Sequence, residues 1–293
     1  MRRKRTTEDR VLDSLNYVAL ALIGLCTFYP FYYILILSFN QGTDTAFGGI
    51  YLWPRAFTLD NYTYIFNDGK WSSAFVVTLA RTVVGAGLTV LFTCLVAYGL
   101  SQKGLLFSRF YFIFFIVAMN FSGGLITYYV LLKGLGLLNT FGVYVIPSML
   151  NLFFLMVAIS FFREIPAEIG ESARIDGAKE LQIFFTIILP VSLPLIATMA
   201  LFMGAGQWNS WLDSAYFVQN DDLRTMSYRM IQIINQSMIP TDNASGQYAA
   251  MRQVTGFSVQ VTAMVISVAP IVCVYPFLQK YFVKGIMLGS VKG

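Results

Sequence analysis

The sequence predicts an all-α membrane protein, a bundle of six transmembrane helices. Only 12% of its 293 residues are charged and 57% are hydrophobic, whereas ordinary soluble domains carry about 25% charged residues. The chain also contains several mostly apolar runs, and a helix needs roughly 20 such residues to cross a bilayer. A water-soluble fold of this composition would have too little polar surface to cover its core.

Six apolar runs qualify as spanning helices. They cover residues 15–39, 74–100, 108–132, 141–162, 183–206 and 257–282. The first run is too long for a signal peptide, so we expect it to remain as a spanning helix. Because the number of spans is even, both termini are expected on the same side of the membrane.

The distribution of basic residues predicts the orientation of the bundle. Most of the 20 Lys and Arg residues lie on the side of the termini, and loops rich in these residues stay in the cytoplasm. The predicted organisation is a cytoplasmic N-terminal segment (1–14), a transmembrane domain (15–282) and a cytoplasmic C-terminal tail (283–293). Within the domain we expect a cytoplasmic loop at 163–182 and extracytoplasmic loops at 40–73 and 207–256.

The missing residue types argue against several kinds of chemistry. The chain has no histidine, and its 3 cysteines lie inside apolar runs, which disfavours zinc sites, histidine-based catalysis and a disulfide framework. The phosphate-binding run G-x-x-x-x-G-K-[ST] is also absent. We therefore expect no catalytic residue, cofactor or metal in this chain. Energy for any work that it does must come from a partner or an ion gradient.

The polar segment 164–194 lies between two apolar runs on the predicted cytoplasmic face. Pro166 suits the first turn of a helix, where its missing donor costs nothing. Glu168 and Glu171 would then lie near the positive end of the helix dipole. Gly177 offers a break, after which a second helix is expected from about Ala178.

Two prolines, Pro190 and Pro194, stand where the fifth span begins and are expected to kink it. The short helix before them is rich in Ala, Gly and Ser. Small side chains allow close backbone approach, so such a helix suits a groove on another protein. The alternative is an amphipathic surface loop that only links two spans.

The order of residues in this segment resembles the EAA motif of ABC importer permeases. The family pattern E-A-A-x-x-D-G-A, followed later by I-x-L-P, is matched by Glu171-Ser172-Ala173, Asp176-Gly177-Ala178 and Ile188-Leu189-Pro190, with Ser172 where alanine is usual. The stretches WPRAFTLDNYTYIF (53–66), QWNSWLDSAYF (207–217) and YPFLQKYFVKGIMLGSVKG (275–293) look like carbohydrate-uptake permeases of the MalG type. Within that family they look most like the oligosaccharide and polysaccharide-fragment subgroup.

The resemblance implies a six-span permease subunit of a type I (MetI-like) ABC importer in a bacterial cell membrane. Such a subunit is not itself an enzyme. It pairs with a second permease, two copies of an ATPase bind ATP and Mg on the cytoplasmic side, and a solute-binding protein delivers cargo outside. By resemblance, Lys284–Gly293 matches the tail that reaches the ATPase dimer. The implied ATPase-coupling residues are Glu168, Glu171, Ser172, Ala173, Asp176, Gly177, Ala178 and Pro190.

Candidate contacts along the transport path are polar and aromatic residues within or near the spans. They are Arg81, Asn120, Tyr128, Asn151, Gln207, Trp208, Asn209 and Trp211. Arg81 is the clearest intramembrane charge, and such charges are functional hypotheses by default. The alternative to a transport role is that the Arg81 side chain reaches to the outer membrane interface (snorkelling) or pairs with a neighbouring subunit. For the others the alternatives are aromatic belts at the interface and tight helix packing.

Three alternative functions are compatible with parts of the sequence. An ion-coupled secondary transporter usually has intramembrane carboxylates or inverted repeats, and the spans hold no clear Asp or Glu. A membrane enzyme is disfavoured by the lack of histidine and of a polar catalytic cluster. An ABC permease for a non-sugar solute, such as amino acids or polyamines, keeps the same architecture with different cargo.

Overall fold

Helices form almost all of the regular structure in the computed structural model, which describes residues 7–67, 69–237 and 254–289. These described residues contain no β-strand, only an isolated bridge between Asn40 and Phe57. The prediction of an all-α protein is therefore confirmed. Parts of the predicted N-terminal segment (1–6), second extracytoplasmic loop (238–253) and C-terminal tail (290–293) lie outside the described residues.

In chain order the helices are α1 (Thr7–Ser38), α2 (Gly42–Ala46), α3 (Asp60–Asn67), α4 (Gly69–Ala80), α5 (Ala86–Ser101), α6 (Ser108–Asn120), α7 (Gly124–Gly134), α8 (Gly142–Val145), α9 (Leu152–Glu164), α10 (Ala167–Ile175), α11 (Glu180–Ile183), α12 (Leu189–Val191), α13 (Leu193–Asn209), α14 (Leu212–Phe217), α15 (Met226–Ser237) and α16 (Gly256–Gly289). Two π-helical turns, Arg81–Gly85 and Phe184–Ile188, join α4 to α5 and α11 to α12. The 3-10 turns are Ile146–Ser148 and Asp221–Leu223.

The chain divides into two compact units. The first comprises residues 1–68 and 232–268, and the second comprises residues 69–231 and 269–293. In the first unit the segment after α1 is fixed by a buried asparagine, Asn40. Its amide nitrogen donates to Asp44 and Thr45, and its amide oxygen accepts from the backbone of Ala56 at 2.8 Å. These bonds fold the long segment between α1 and α3 back on itself.

The core of the second unit lies between α5, α9, α13 and the π turn Phe184–Ile188. Cys94, Leu155, Ala158 and Met199 are fully buried there. Outside this core, most side chains of α6 are exposed and apolar. Burial on one side and exposed apolar surface on the other is the pattern expected where lipid replaces water as the solvent.

Three helices are long and apolar enough to cross a membrane alone. They are Arg10–Ser38, Gly69–Ser101 and Gly256–Cys273, near the predicted first, second and sixth spans. The other three predicted spans correspond to bent pairs. Ser108–Asn120 and Gly124–Gly134 meet at 113°, Gly142–Ser148 and Leu152–Glu164 at 44°, and Glu180–Val191 and Leu193–Asn209 at 83°.

The bends have local causes. Between α6 and α7 the chain is extended at Phe121 and left-handed at Gly124, with φ of +77°, so the apolar run 108–132 is two helices rather than one. The predicted kink at Pro190 and Pro194 coincides with the 83° bend, which centres on Ser192. The helix expected from Ala178 begins two residues later, at Glu180.

Candidate functional site

The predicted coupling segment contains a short, well-defined helix, α10. Pro166 precedes its first residue and Glu168 lies in its first turn, as the helix dipole favours. Glu168, Glu171 and Ser172 are exposed. These side chains therefore form a polar face that is open to another molecule.

The end of α10 is a Schellman motif that depends on Gly177. The amide of Gly177 donates to the carbonyl of Arg174 at 3.0 Å, and the amide of Ala178 donates to the carbonyl of Ala173 at 2.9 Å. Gly177 has a φ of +84°, a left-handed conformation that glycine adopts at little cost. Ala173 and Ala178 pack against the core of the second unit, which fixes the direction in which the chain leaves α10.

An ion pair ties the end of α10 to the end of α5. Arg174 donates to Glu180 at 2.6 and 3.2 Å and to the amide oxygen of Gln102 at 3.0 Å. The hydroxyl of Tyr98, on α5, donates to the same Glu180 carboxylate at 2.8 Å. Hydrogen bonds of defined geometry therefore connect α10 to α5.

The eight predicted coupling residues divide into two groups. Ala173 and Ala178 are half-buried anchors, and the remaining six are exposed: Glu168, Glu171, Ser172, Asp176, Gly177 and Pro190. A cavity of about 630 Å³ lies beside them, between α10 and the connection from α5 to α6, and Glu171 and Arg174 contribute to its lining.

Arg81 lies in the π turn between α4 and α5 and is 1% exposed. Its Nε and Nη2 atoms donate to Oε1 of Gln207 at 3.0 and 2.8 Å, and Nη1 donates to the carbonyl of Ser210 at 3.3 Å. Nη2 also meets the carboxylate of Asp213 at 2.8 Å. The guanidinium lies 4.4 Å from the ring centre of Tyr144, a cation–π distance. Arg81 is thus paired within its own chain.

Gln207 carries this network further into the unit. Its amide nitrogen donates to Ser148 Oγ at 2.8 Å, and its side chain lies against Gly85. A Cβ atom at Gly85 would be 3.0 Å from Gln207 Cδ, closer than most such contacts. The π turn, the Ile146–Ser148 turn and the end of α13 therefore form one packed junction.

A cavity of about 320 Å³ adjoins this junction. Four of the eight predicted path residues line it: Arg81, Tyr128, Asn151 and Gln207. The amide oxygen of Asn151 caps α9 by accepting from the backbone of Phe154 at 3.0 Å. The structure thus brings together residues that lie as much as 126 positions apart in the sequence.

The other four predicted path residues do not line this cavity. The side-chain amides of Asn120 and Asn209 donate to carbonyls of their own helices, at 2.8 and 2.9 Å. Trp208 is buried and its ring meets Phe75 edge-on, whereas Trp211 is 36% exposed.

Sequence reasoning missed five polar residues that line this cavity: Thr89, Tyr144, Ser148, Ser210 and Asp213. Asp213 belongs to the stretch QWNSWLDSAYF and carries the charge opposite to that of Arg81. An acidic residue six positions after Gln207 was the sequence signal that could have identified Asp213 as the partner of Arg81.

Another acidic residue, Asp221, lies in the segment between α14 and α15. Arg229, at 3.3 Å, and a hydrogen bond from Lys70 lower the pKa of Asp221 below its ordinary value of 3.8. The carboxylate therefore stays charged and joins the start of α4 to the start of α15.

Comparison with known proteins assigns the chain to a family. A family profile described as "Binding-protein-dependent transport system inner membrane component" matches residues 9–288. The chain belongs to this family. Membership in these binding-protein-dependent permeases confirms the family that the EAA-like motif predicted, and it describes a membrane transport component rather than an enzyme.

Similar permeases match the chain over nearly its whole length. Protein LplC of Bacillus subtilis (strain 168) is 35% identical over 288 residues, 98% of this chain and 97% of LplC. The polygalacturonan/rhamnogalacturonan transport system permease protein YtcP of the same organism is 34% identical, over 98% of this chain and 100% of YtcP. One chain in the crystal structure of a bacterial ABC transporter involved in import of the acidic polysaccharide alginate superposes with a TM-score of 0.85. It is 25% identical, and the match covers 96% of this chain and 99% of that one.

Proposed function

We propose that this chain is the permease subunit of an ATP-driven importer for oligosaccharides or polysaccharide fragments. Family membership and the full-length likeness to YtcP and to the alginate transporter chain support the proposal. ATP and Mg bind to partner ATPase subunits, since this sequence lacks a P-loop. The alginate transporter imports an acidic polysaccharide. Whether this chain accepts an acidic cargo depends on the residues along its own transport path.

The proposed topology has six spans in the inner membrane with both termini in the cytoplasm. Three single helices and three bent pairs supply six crossings if each pair counts as one. The excess of Lys and Arg on the side of the termini supports the orientation. The domain is then residues 15–282, with the coupling loop at 163–182 on the cytoplasmic side.

The proposed coupling element is α10. The observation that carries this proposal is the combination of an exposed polar face with rigid attachment: Arg174, Glu180 and Tyr98 hold the helix to α5. Without such attachment, a force applied to α10 would move this helix without moving α5. Glu168, Glu171, Ser172, Asp176 and Gly177 are the proposed contact residues for the ATPase, with Ala173, Ala178 and Pro190 setting the helix position.

The proposed assembly contains this permease, a second permease, two ATPase copies and an extracytoplasmic solute-binding protein. The two permeases share the transport path. In this chain we propose the cavity lined by Arg81, Tyr128, Asn151 and Gln207 as its contribution. The other four predicted path residues lie outside this cavity, and we propose no cargo contact for them there: Asn120, Trp208, Asn209 and Trp211.

The test compares two glycines that serve the same structural purpose. Gly177→Asp places a charge and a side chain at the Schellman glycine of α10. Gly136, at the end of α7, has a φ of +69° and the same pair of capping hydrogen bonds, with open space around it. Both substitutions cost about 1 kcal/mol of backbone strain, so Gly136→Asp is a matched control for folding.

We expect the wild-type chain and Gly136→Asp to co-purify with an ATPase subunit and to support uptake driven by ATP. Gly177→Asp is expected to lose the ATPase or to hydrolyse ATP without transport. Full uptake with normal coupling in Gly177→Asp would contradict the role of α10. Transport by this chain alone, driven by a proton or sodium gradient, would contradict the importer function itself.

A further inference from the structure

The cavity beside Arg81 contains a charged pair whose two members differ in accessibility. The side chain of Arg81 is 2% exposed and that of Asp213 is 34% exposed. Each nitrogen of the guanidinium already donates to an acceptor of this chain. An entering molecule therefore meets chiefly the carboxylate, because Arg81 contributes little exposed surface to the lining.

Three polar groups in the cavity lining have hydrogen-bonding capacity left over within the described part of the chain. The hydroxyl of Tyr128 has no hydrogen-bond partner there, and neither does the side-chain nitrogen of Asn151, whose side-chain oxygen caps α9. In Asp213, Oδ2 accepts from Arg81 and from Ser210 at 2.9 Å, and Oδ1 remains available. The set offers donors and an acceptor, which is the complement of a ring that carries several hydroxyl groups.

Apolar surface completes the cavity. Phe202, Met203 and Pro147 line it together with the ring of Tyr128. The volume of about 320 Å³ is at the small end of the range for ligand pockets, roughly 300–1,000 Å³. It has room for one sugar ring and not for a chain of several. Apolar walls with a few convergent polar groups are typical of small-molecule sites.

We propose that this cavity is a subsite for one uncharged sugar ring of the cargo, with Asp213 as the residue that discriminates against a uronate at this position. Arg81 is a positioning residue that holds Asp213 and Gln207 and does not contact cargo. The carboxylate of a uronic acid would face the Asp213 carboxylate with no unpaired cation among the described lining residues. The inference rests on the proposed importer function and specifies the cargo at one point of its path.

A pair of trisaccharides that differ only in charge tests the subsite. α-1,4-Galactotriose carries a CH₂OH group where α-1,4-trigalacturonate carries a carboxylate. Equilibrium dialysis of both, in radiolabelled form, against the complete permease–ATPase complex in lipid nanodiscs measures their dissociation constants. The wild type is expected to bind galactotriose at least about tenfold more tightly than trigalacturonate, which corresponds to about 1.4 kcal/mol.

Three variants locate the effect. Asp213→Asn is expected to bring the two dissociation constants together, chiefly by about tenfold tighter binding of trigalacturonate. Tyr128→Phe keeps the ring contact with Phe217 and removes one hydroxyl, so it should weaken galactotriose binding about fivefold without loss of folding. Asp222→Asn removes an exposed carboxylate that does not line the cavity, and both constants should stay at their wild-type values.

Failure of the subsite and failure of the importer function give different results. If galactotriose does not bind, or if trigalacturonate binds more tightly and Asp213→Asn leaves that preference unchanged, the subsite is wrong. The importer function then still stands, provided that the ATPase co-purifies and uptake depends on ATP. If Asp213→Asn lowers the yield of folded complex, Tyr128→Phe decides, because unchanged galactotriose binding in that variant also overturns the subsite.

Discussion

Arg81 places two of its nitrogens on a single acceptor, the side-chain oxygen of Gln207, at 3.0 and 2.8 Å. This double contact joins the π turn between α4 and α5 to the end of α13, and the carboxylate of Asp213 neutralises the charge from the other side at 2.8 Å. π turns inside α-helices often occur at functional sites. Here the wider turn holds a buried cation within reach of both partners.

Replacing Arg81 by Gln should destabilise the second unit substantially. The substitution leaves Gln207 without its donors and the Asp213 carboxylate without its counter-charge. Loss of one member of a buried pair costs 3–5 kcal/mol, and the partial exposure of Asp213 reduces this to about 2–4 kcal/mol. The thermal midpoint of the purified complex in detergent measures the change.

Arg81→Lys is the informative companion. It keeps the charge but cannot place two donors on one oxygen, so its midpoint is expected between those of the wild type and Arg81→Gln. A midpoint of Arg81→Gln equal to that of the wild type would show that the network does not support the fold.

Gly85 is predicted to tolerate a side chain poorly, because Gln207 lies directly against it. A Cβ atom there would be 3.0 Å from both Cδ and Nε2 of Gln207. Gly85→Ala should therefore displace Gln207 from Arg81 and cost about 1–3 kcal/mol, as overpacking usually does. Gly87→Ala, two residues along the same helix and in open space, is the control and should be neutral or slightly stabilising. Equal midpoints for the two variants would contradict the close contact.

The sequence predicted the helical runs well and their bends only in part. A helix surrounded by lipid is long and apolar, and both properties can be measured from the sequence. The runs near α1, α4–α5 and α16 could therefore be located from composition. The bend at Pro190 was predictable because proline removes a backbone donor. The 113° turn before Gly124 was not, because glycine permits a left-handed conformation without requiring it.

The candidate sites show a similar division. The helix α10 and its end at Gly177 were predictable because they depend on consecutive residues and local rules. The role of this segment in coupling stays a prediction. The partner of Arg81 was not predictable, because Asp213 is 132 positions away and only the packing of the helices brings the two together. Asn120 has the residue type of a cargo contact, yet it bonds to its own helix, and composition cannot distinguish these two uses.

Glu180→Gln is expected to impair coupling more than stability. Glu180 accepts from Arg174 and Tyr98, so the neutral amide loses the charge-assisted part of both bonds. Because the ion pair is largely exposed, the loss of stability should stay within about 1 kcal/mol. The number of cargo molecules imported per ATP hydrolysed is expected to fall severalfold in the reconstituted complex.

Two further variants test whether the opposite charges of this ion pair are responsible for the effect. Glu164→Gln removes an exposed carboxylate at the end of α9 that does not belong to the Arg174–Glu180–Tyr98 network, and it should leave the transport ratio unchanged. The exchange Arg174→Glu with Glu180→Arg restores opposite charges and should recover part of the ratio. A normal ratio in Glu180→Gln would show that force reaches the spans by another route.

Asp221 predicts a pH dependence of stability at acid pH. Its pKa is lowered in the folded protein by Arg229 and Lys70, so the folded state binds the proton more weakly than the unfolded state does. The contribution of Asp221 is therefore complete above its ordinary value of 3.8 and is lost as the pH falls through the lower folded value. The thermal midpoint of the wild type should exceed that of Asp221→Asn by a constant amount between about pH 5 and 7.

Below the ordinary pKa of 3.8 that difference should shrink and then vanish. Because Asp221 is exposed, added salt should reduce the difference at every pH, as expected for screened charges. Asp222→Asn, next to it in sequence, should show no such dependence. A midpoint difference that persists unchanged to acid pH would mean that Asp221 acts through packing or neutral hydrogen bonds rather than through its charge, because only an ionised carboxylate gains from both Lys70 and Arg229.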